Sequence, residues 1–142
     1  MKVESLLQGK IAAVIDPSAS LEDLVVELKR RNVGALVVTI DGRKIVGIVS
    51  ERDVVRAMPG KITSLSTLKV ADLMSKGVTT CRADTLISEL MRTMTEQRIR
   101  HIPVVDSDDN LLSIISIGDI VKAYVDEIES QRKALEGYIA AG

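Results

Sequence analysis

GIVSERDVVRAM, Gly47 to Met58, returns 66 residues later as SIISIGDIVKAY, Ser113 to Tyr124. Ser50 matches Ser116, Asp53 matches Asp119, and upstream Val33 matches Ile99 in the same register. Earlier still, KVESLL (Lys2 to Leu7) is echoed by KVADLM (Lys69 to Met74), at an offset of 67. Self-similarity of this length means two copies of one supersecondary unit. The apolar runs Lys44–Val49 and Leu111–Ile115 predict strands. The spacing of Val54, Val55 and Met58, and of Ile120, Val121 and Tyr124, predicts a helix after each. Each Ser therefore stands at a strand end and each Asp in the first turn of a helix.

Two chemistries share that placement. Backbone N–H groups at a helix start are unpaired and the helix dipole is positive there, which suits an anionic ligand group. A carboxylate at that point accepts two hydrogen bonds from a vicinal diol such as that of ribose, and a hydroxyl three residues earlier serves a neighbouring oxygen. Ser-x-x-Asp is equally a capping box, in which each side chain bonds the other's backbone N–H. The residues alone leave both readings open.

Around these motifs the pattern is regular. Ser20 and Asp23 predict a capping box opening a helix with Leu21, Leu24, Val25 and Leu28 on its apolar face. Lys29, Arg30 and Arg31 close it as a solvated end. Val33 to Ile40 reads as a strand, Asp41-Gly42 as a two-residue hairpin turn, and Arg43 to Val49 as the return strand. Pro59-Gly60 separates the copies. In copy two, Asp84 or Thr85 opens a helix with Ile87, Leu90, Met91 and Met94 on one face. Ile102–Val105 and Leu111–Ile115 form its hairpin, with Ser107–Asn110 as the turn. These boundaries give copy one as residues 1–58, a linker as 59–68, copy two as 69–124 and a helical extension as 125–142. In that extension Val121, Val125, Ile128, Leu135 and Ile139 fall on a heptad seam, with Arg132 filling one position.

Composition excludes several classes. Hydrophobic residues make up 46% of the 142, nearly all aliphatic, with no Phe or Trp and two Tyr. Nineteen basic and twenty acidic residues leave a net charge of −1. A neutral chain without stacking platforms argues against nucleic acid. No apolar run approaches about 18 residues, so no membrane span is expected. A lone cysteine, Cys81, and no secretory h-region make the cytoplasm the expected compartment. Ser116, His101 and Asp119 are the components of a triad, but no nucleophile-elbow pattern surrounds them, so no enzyme and no catalytic cofactor are expected.

VIDPSASLEDLVVELKRRNVGALVV (Val14–Val38) with GIVSERD, and VTTCRADTLISELMRTMTEQRIRHIPVV (Val78–Val105) with IISIGD, resemble a tandem pair of cystathionine-β-synthase (CBS) domains. RHIPVVD, Arg100 to Asp106, followed by S-x-x-D, is the most specific part of the resemblance. It implies an α+β fold: two βαββα repeats packed sheet to sheet as one module, with an extended C-terminal helix. It implies a stand-alone regulatory, energy-sensing module that binds an adenosyl ligand between the repeats and signals to an unidentified protein partner. AMP is the first expectation for that ligand, with ATP or NAD as alternatives, and a homodimer is expected. Carried over by position, the nucleotide-binding residues are Ser50, Arg52 and Asp53 for one cleft. For the other they are Thr80, Arg100, His101, Ile102, Pro103, Ser116 and Asp119. Gly34 and Ala35 stand where copy two has Arg100 and His101, so the second cleft is expected to be the better equipped for phosphate. The competing reading is a ligand-independent structural or dimerisation module.

Overall fold

The 66-residue repeat is kept in the register of both hairpins in the computed structural model, which describes residues 1–141. Copy one runs β1 (Val14–Ile15), α1 (Leu21–Arg31), β2 (Ala35–Thr39), β3 (Ile45–Ser50) and α2 (Glu51–Ala57). A 3₁₀ turn at Ile62–Thr67 and the short helix α3 (Val70–Leu73) lead to copy two: α4 (Ile87–Gln97), β4 (His101–Val105), β5 (Leu111–Ser116) and α5 (Ile117–Ala141). Antiparallel partners in the first hairpin include Ala35 with Ser50 and Val38 with Gly47; in the second they are His101 with Ser116 and Val104 with Ser113. Both hairpins carry a bulge at the same place, after Val38 and after Val104. The opening strand of copy two shrinks to one parallel bridge, Cys81 with Val104, the counterpart of Ile15 with Val38.

Strand alternation sorts the side chains. Leu36 and Val38 of β2 and Val49 of β3 face the helices, packing with Leu21, Leu24, Leu28 and Val54. Val37 faces the other way and meets Ile114 of β5 and Ala12, with Ile45, Ile48 and Leu111 around them. The extra residue of the bulge shifts the phase of β3. Hence Ile45 and Ile48 face the second sheet while Val46 and Val49 face the helices. Each sheet is therefore covered by helices on one side and by the other sheet on the other, as the resemblance implies. Leu24 has no exposed surface, and truncating such a leucine to Ala costs about 2–5 kcal/mol.

The leading segments are exchanged between copies. Val3 N–H donates to Thr85 O (2.9 Å) and Glu4 N–H to Ala83 O (2.8 Å), while Val70 N–H donates to Ala19 O (2.9 Å) and Ala71 N–H to Pro17 O (2.9 Å). Val3 lies in the core of copy two with Ile87, Leu90 and Ile120, and Val70 in the core of copy one.

The exchange corrects the predicted helix start in copy two. Thr85 Oγ1 accepts from Arg82 N–H at 3.0 Å, and α4 begins at Ile87 behind Leu86, which has no capping side chain. Instead Ile87 N–H donates to Met1 O at 3.0 Å, so the incoming segment caps the helix. Ser20 does cap α1, accepting from Asp23 N–H at 3.0 Å, but without the reciprocal half of a box. The hairpin at Asp41-Gly42 is a five-residue loop rather than a two-residue turn. There the Asp41 carboxylate accepts from Arg43 and Lys44 N–H, both at 2.9 Å. Val25 and Met91, predicted on buried faces, are 45% and 37% exposed. The last residue of the predicted C-terminal extension, Gly142, lies outside the described residues.

Candidate functional site

Both Ser-x-x-Asp motifs form capping boxes. Ser50 N–H and Oγ–H donate to Asp53 Oδ2 at 2.7 and 3.1 Å, and Asp53 N–H donates to Ser50 Oγ at 3.4 Å. In copy two the same three bonds measure 2.8, 2.9 and 3.2 Å between Ser116 and Asp119. In each box only Oδ2 of the aspartate is used, and Oδ1 accepts no hydrogen bond among the described residues. Cap and diol acceptor are thus compatible roles: one oxygen holds the helix start and the other stays available.

The surroundings of the two boxes differ. A cavity of about 300 Å³ opens beside Asp53, within the size range of small-ligand sites. Copy one supplies Gly34 and Ala35 from the start of β2, Ile48 and Ser50 from β3, and Glu51, Arg52, Asp53 and Arg56 from α2. Copy two supplies Ser75, just after α3, and Arg98, Ile99, Arg100 and His101 from the turn between α4 and β4. An adjoining hollow shares Arg52, Arg98, Ile99 and Arg100. Four guanidinium groups meet at this cavity, and none has an ion-pair partner among the described residues. Such groups match phosphate oxygens in bidentate geometry. Ala35, Ile48 and Ile99 add an aliphatic lining.

Local backbone geometry brings these groups in. Arg98 ends α4 in the left-handed conformation at φ 55°, at the position where Asn32 ends α1 at φ 53°. Asn tolerates that region; for Arg it is uncommon. The turn aims Arg98, Arg100 and His101 at copy one. There Gly34 makes room: a Cβ at that position would lie 3.2 Å from His101 Cε1. On α2, Arg52 and Arg56 are one turn apart and share a face.

At the other box Lys10 Nζ is ion-paired to Asp119 Oδ2, with each side chain about one-third exposed (32% and 31%). The Lys10 carbonyl in turn accepts from the buried Ser113 hydroxyl at 3.0 Å. Burial alone would raise the Asp119 carboxyl; the bonds from Lys10 and Ser116 outweigh it and hold the group below the usual carboxylate range. His101 is lowered by burial and then by the charge of Lys10, against the pull of Asp119 and Glu51, so it is neutral at pH 7.

The expected grouping of site residues is therefore corrected. Arg100 and His101 line the cavity that holds Ser50 and Asp53, and Asp119 is engaged by Lys10. The glycine in copy one does not deprive its cleft of basic groups; it admits those of copy two. Ile102, expected at the ligand, has no exposed surface and packs in the core of copy two. Pro103 is buried in β4, its carbonyl accepting from Cys81 N–H at 3.0 Å. Thr80 is exposed and does not line the cavity. Sequence reading missed Arg56, Glu51 and Ser75 in the cavity, and it missed Lys10. Of these, Arg56 could have been found from its spacing, one helical turn after Arg52.

Against known proteins, the CBS domain model matches residues 10–60 and 70–126. A CBS domain-containing protein of Arabidopsis thaliana, CBSX3, mitochondrial, is 37% identical over 124 residues, covering 84% of this chain and 60% of its own length. The chain thus spans under two thirds of that relative, whose mitochondrial name also means that family resemblance does not assign a cytoplasmic compartment. Among the described residues, no helix is long and apolar enough to cross a membrane. A solved CBS-domain protein from Agrobacterium tumefaciens superposes with a TM-score of 0.82 at 35% identity, covering 87% of this chain and 99% of the other. The CBS domain pair of protein MJ0100, solved with 5′-methylthioadenosine and S-adenosyl-L-methionine, shares the fold at a TM-score of 0.80 and 20% identity, covering 89% of this chain and 98% of the other.

Proposed function

We propose, from the premise that this chain belongs to the CBS domain family, that it is a regulatory module binding one adenine nucleotide in the cavity between its repeats. The observation that carries this reading is the pairing, in one cavity, of a free carboxylate oxygen from copy one with basic groups from copy two. Asp53 Oδ1 takes the ribose hydroxyls. Arg98, Arg100 and neutral His101 take phosphate oxygens from the far side, with Arg52 and Arg56 closing from α2. The adenine lies against Ala35, Ile48 and Ile99, which suits a chain with no aromatic platform. AMP, ADP, ATP and NAD all carry the required groups.

Such a ligand bridges the repeats, with its sugar held by one and its phosphates by the other. Binding then favours whichever arrangement of the repeats brings Asp53 and the arginines to the right separation, and the shift is limited by the ligand's differential affinity for the two arrangements. A partner protein reads that difference on the surface.

Calorimetric titration of the protein with AMP, ATP, NAD and S-adenosyl-L-methionine, alongside Asp53→Ala, tests the reading. Saturable binding that Asp53→Ala weakens is expected. Absence of binding to every one of them refutes it and leaves the module a ligand-independent structural or dimerising unit, with both boxes acting as caps alone.

A further inference from the structure

The two leading segments pass the two boxes in the same way and end in different chemistry. Ser75 exchanges two backbone bonds with Ile48, at 2.9 and 3.0 Å, and lines the cavity beside Asp53. Its carbonyl lies 3.0 Å from the place a Cβ would take on Gly47. In copy two that Cβ exists, on Ser113, and the Ser113 hydroxyl donates to Lys10 O at 3.0 Å. Lys10 therefore stands at the second box where Ser75 stands at the first. A long cation replaces a short hydroxyl, and its ammonium is bound to Asp119 Oδ2. Held by its carbonyl on β5 and by its ammonium on α5, the residue runs along the start of the helix. Ile48, in the first cavity, is half-buried, whereas its counterpart Ile114 is buried. The basic groups differ as well. Arg52 is matched by Gly118, and Arg98, Arg100 and His101 by Asn32, Gly34 and Ala35. Of the four arginines at the first cavity, only Arg56 has a basic counterpart, Lys122.

We propose that Lys10 is a built-in occupant of the second box: its ammonium takes the carboxylate a ribose would use, so the chain accepts a nucleotide in one cleft only, and removing the lysine opens a second site for an unphosphorylated nucleoside. The inference rests on the reading of Ser-x-x-Asp as a ribose acceptor. Two effects keep a sugar out. The ammonium forms a charge-assisted bond with Asp119 and neutralises it as an acceptor. The flexible four-carbon stem fills the space beside it. With charge and stem gone, the cleft offers the Asp119 carboxylate, the Ser116 hydroxyl and the aliphatic Ile114. It has no guanidinium at the positions matching Arg52, Arg98 and Arg100, so it suits the nucleoside and adds little for its phosphates.

Calorimetric titration with adenosine and with AMP tests the proposal, on wild type and on Lys10→Ala in an Asp53→Ala background that weakens the first cavity. Lys10 is 32% exposed and its carbonyl bond to Ser113 survives the substitution, so the fold is retained. Removing Lys10 is expected to add one saturable adenosine site per chain, which AMP fills no more tightly, and further substitution Asp119→Ala is expected to abolish it. Two sites in the wild type, no site gained without Lys10, a gain that survives Asp119→Ala, or a gained site that prefers AMP would each overturn the proposal. A wild type that binds no nucleotide, with the gain intact, refutes the cavity beside Asp53 and supports the role of Lys10.

Discussion

Replacing Asp53 with Ala removes two things, and the structure separates their sizes. Oδ2 holds the start of α2 through Ser50 N–H at 2.7 Å and Ser50 Oγ at 3.1 Å; loss of such a cap costs about 1 kcal/mol of stability. Oδ1 is the proposed ribose acceptor, and hydrogen bonds to a charged group are worth about 1.5–3 kcal/mol. That corresponds to a roughly 10- to 150-fold rise in Kd. Asp119→Ala is the matched control. It breaks an equivalent box, with the Lys10 ion pair in addition, so it loses at least comparable stability. It lies outside the cavity lining, so nucleotide affinity is expected to stay within about twofold, or about 0.4 kcal/mol. Denaturant midpoints read the first quantity and calorimetric Kd values the second, both on the same preparations. A folded Asp53→Ala variant with wild-type affinity refutes the ribose role. An Asp119→Ala variant that loses as much affinity as Asp53→Ala refutes the assignment of the ligand to this cavity.

Four further outcomes are expected. His101 is lowered from its ordinary value of 6.5, so below about pH 6.5 the unfolded chain binds more protons at this residue than the native one, and stability is lost as the pH falls. Between pH 7 and pH 5 the Tm of wild type should therefore drop more than that of His101→Gln; parallel slopes contradict this. Gly47→Ala places a Cβ 2.7 Å from Met74 Sδ and 3.0 Å from Ser75 O, an overpacking worth about 1–3 kcal/mol that chemical denaturation would detect. The equivalent position in copy two already holds Ser113, and Ser113→Ala should cost about 1 kcal/mol by removing its bond to Lys10 O. Val3→Ala and Val70→Ala should each destabilise the chain by about 2 kcal/mol while leaving one unfolding transition. Two separated transitions in either variant would contradict the shared core.

Much of this molecule is legible in its sequence because duplication doubles every signal. The constant 66-residue offset from Val33 to Tyr124 predicts two hairpins in one register, and the backbone keeps that register down to the position of the bulge. Helical spacing identifies Leu21, Leu24 and Leu28 as core positions. What fails is whatever depends on the relation between copies. Ile102 follows Arg100 and His101 in sequence, but alternation along β4 turns its side chain into the core. Arg100 and His101 belong by sequence to copy two, yet they reach across to copy one because Gly34 leaves space and Arg98 turns the chain. Local periodicity carries no record of such a crossing. Lys10 precedes any recognisable element, and only the packed sheets bring it to Asp119, 109 residues away.

The exchange of leading segments makes each copy the custodian of a piece of the other. Separate the halves at Lys61, in the exposed connection, and neither fragment holds its own missing valine: Val3 stays with the first fragment and Val70 with the second, each seated in the opposite core. A single proteolytic nick there should leave two pieces that migrate together and part only when both unfold. The connection between copies is thus a tether that raises local concentration, and the clasp itself is non-covalent. A hinge opening between the copies would have to draw Val3 and Val70 out of the cores that hold them.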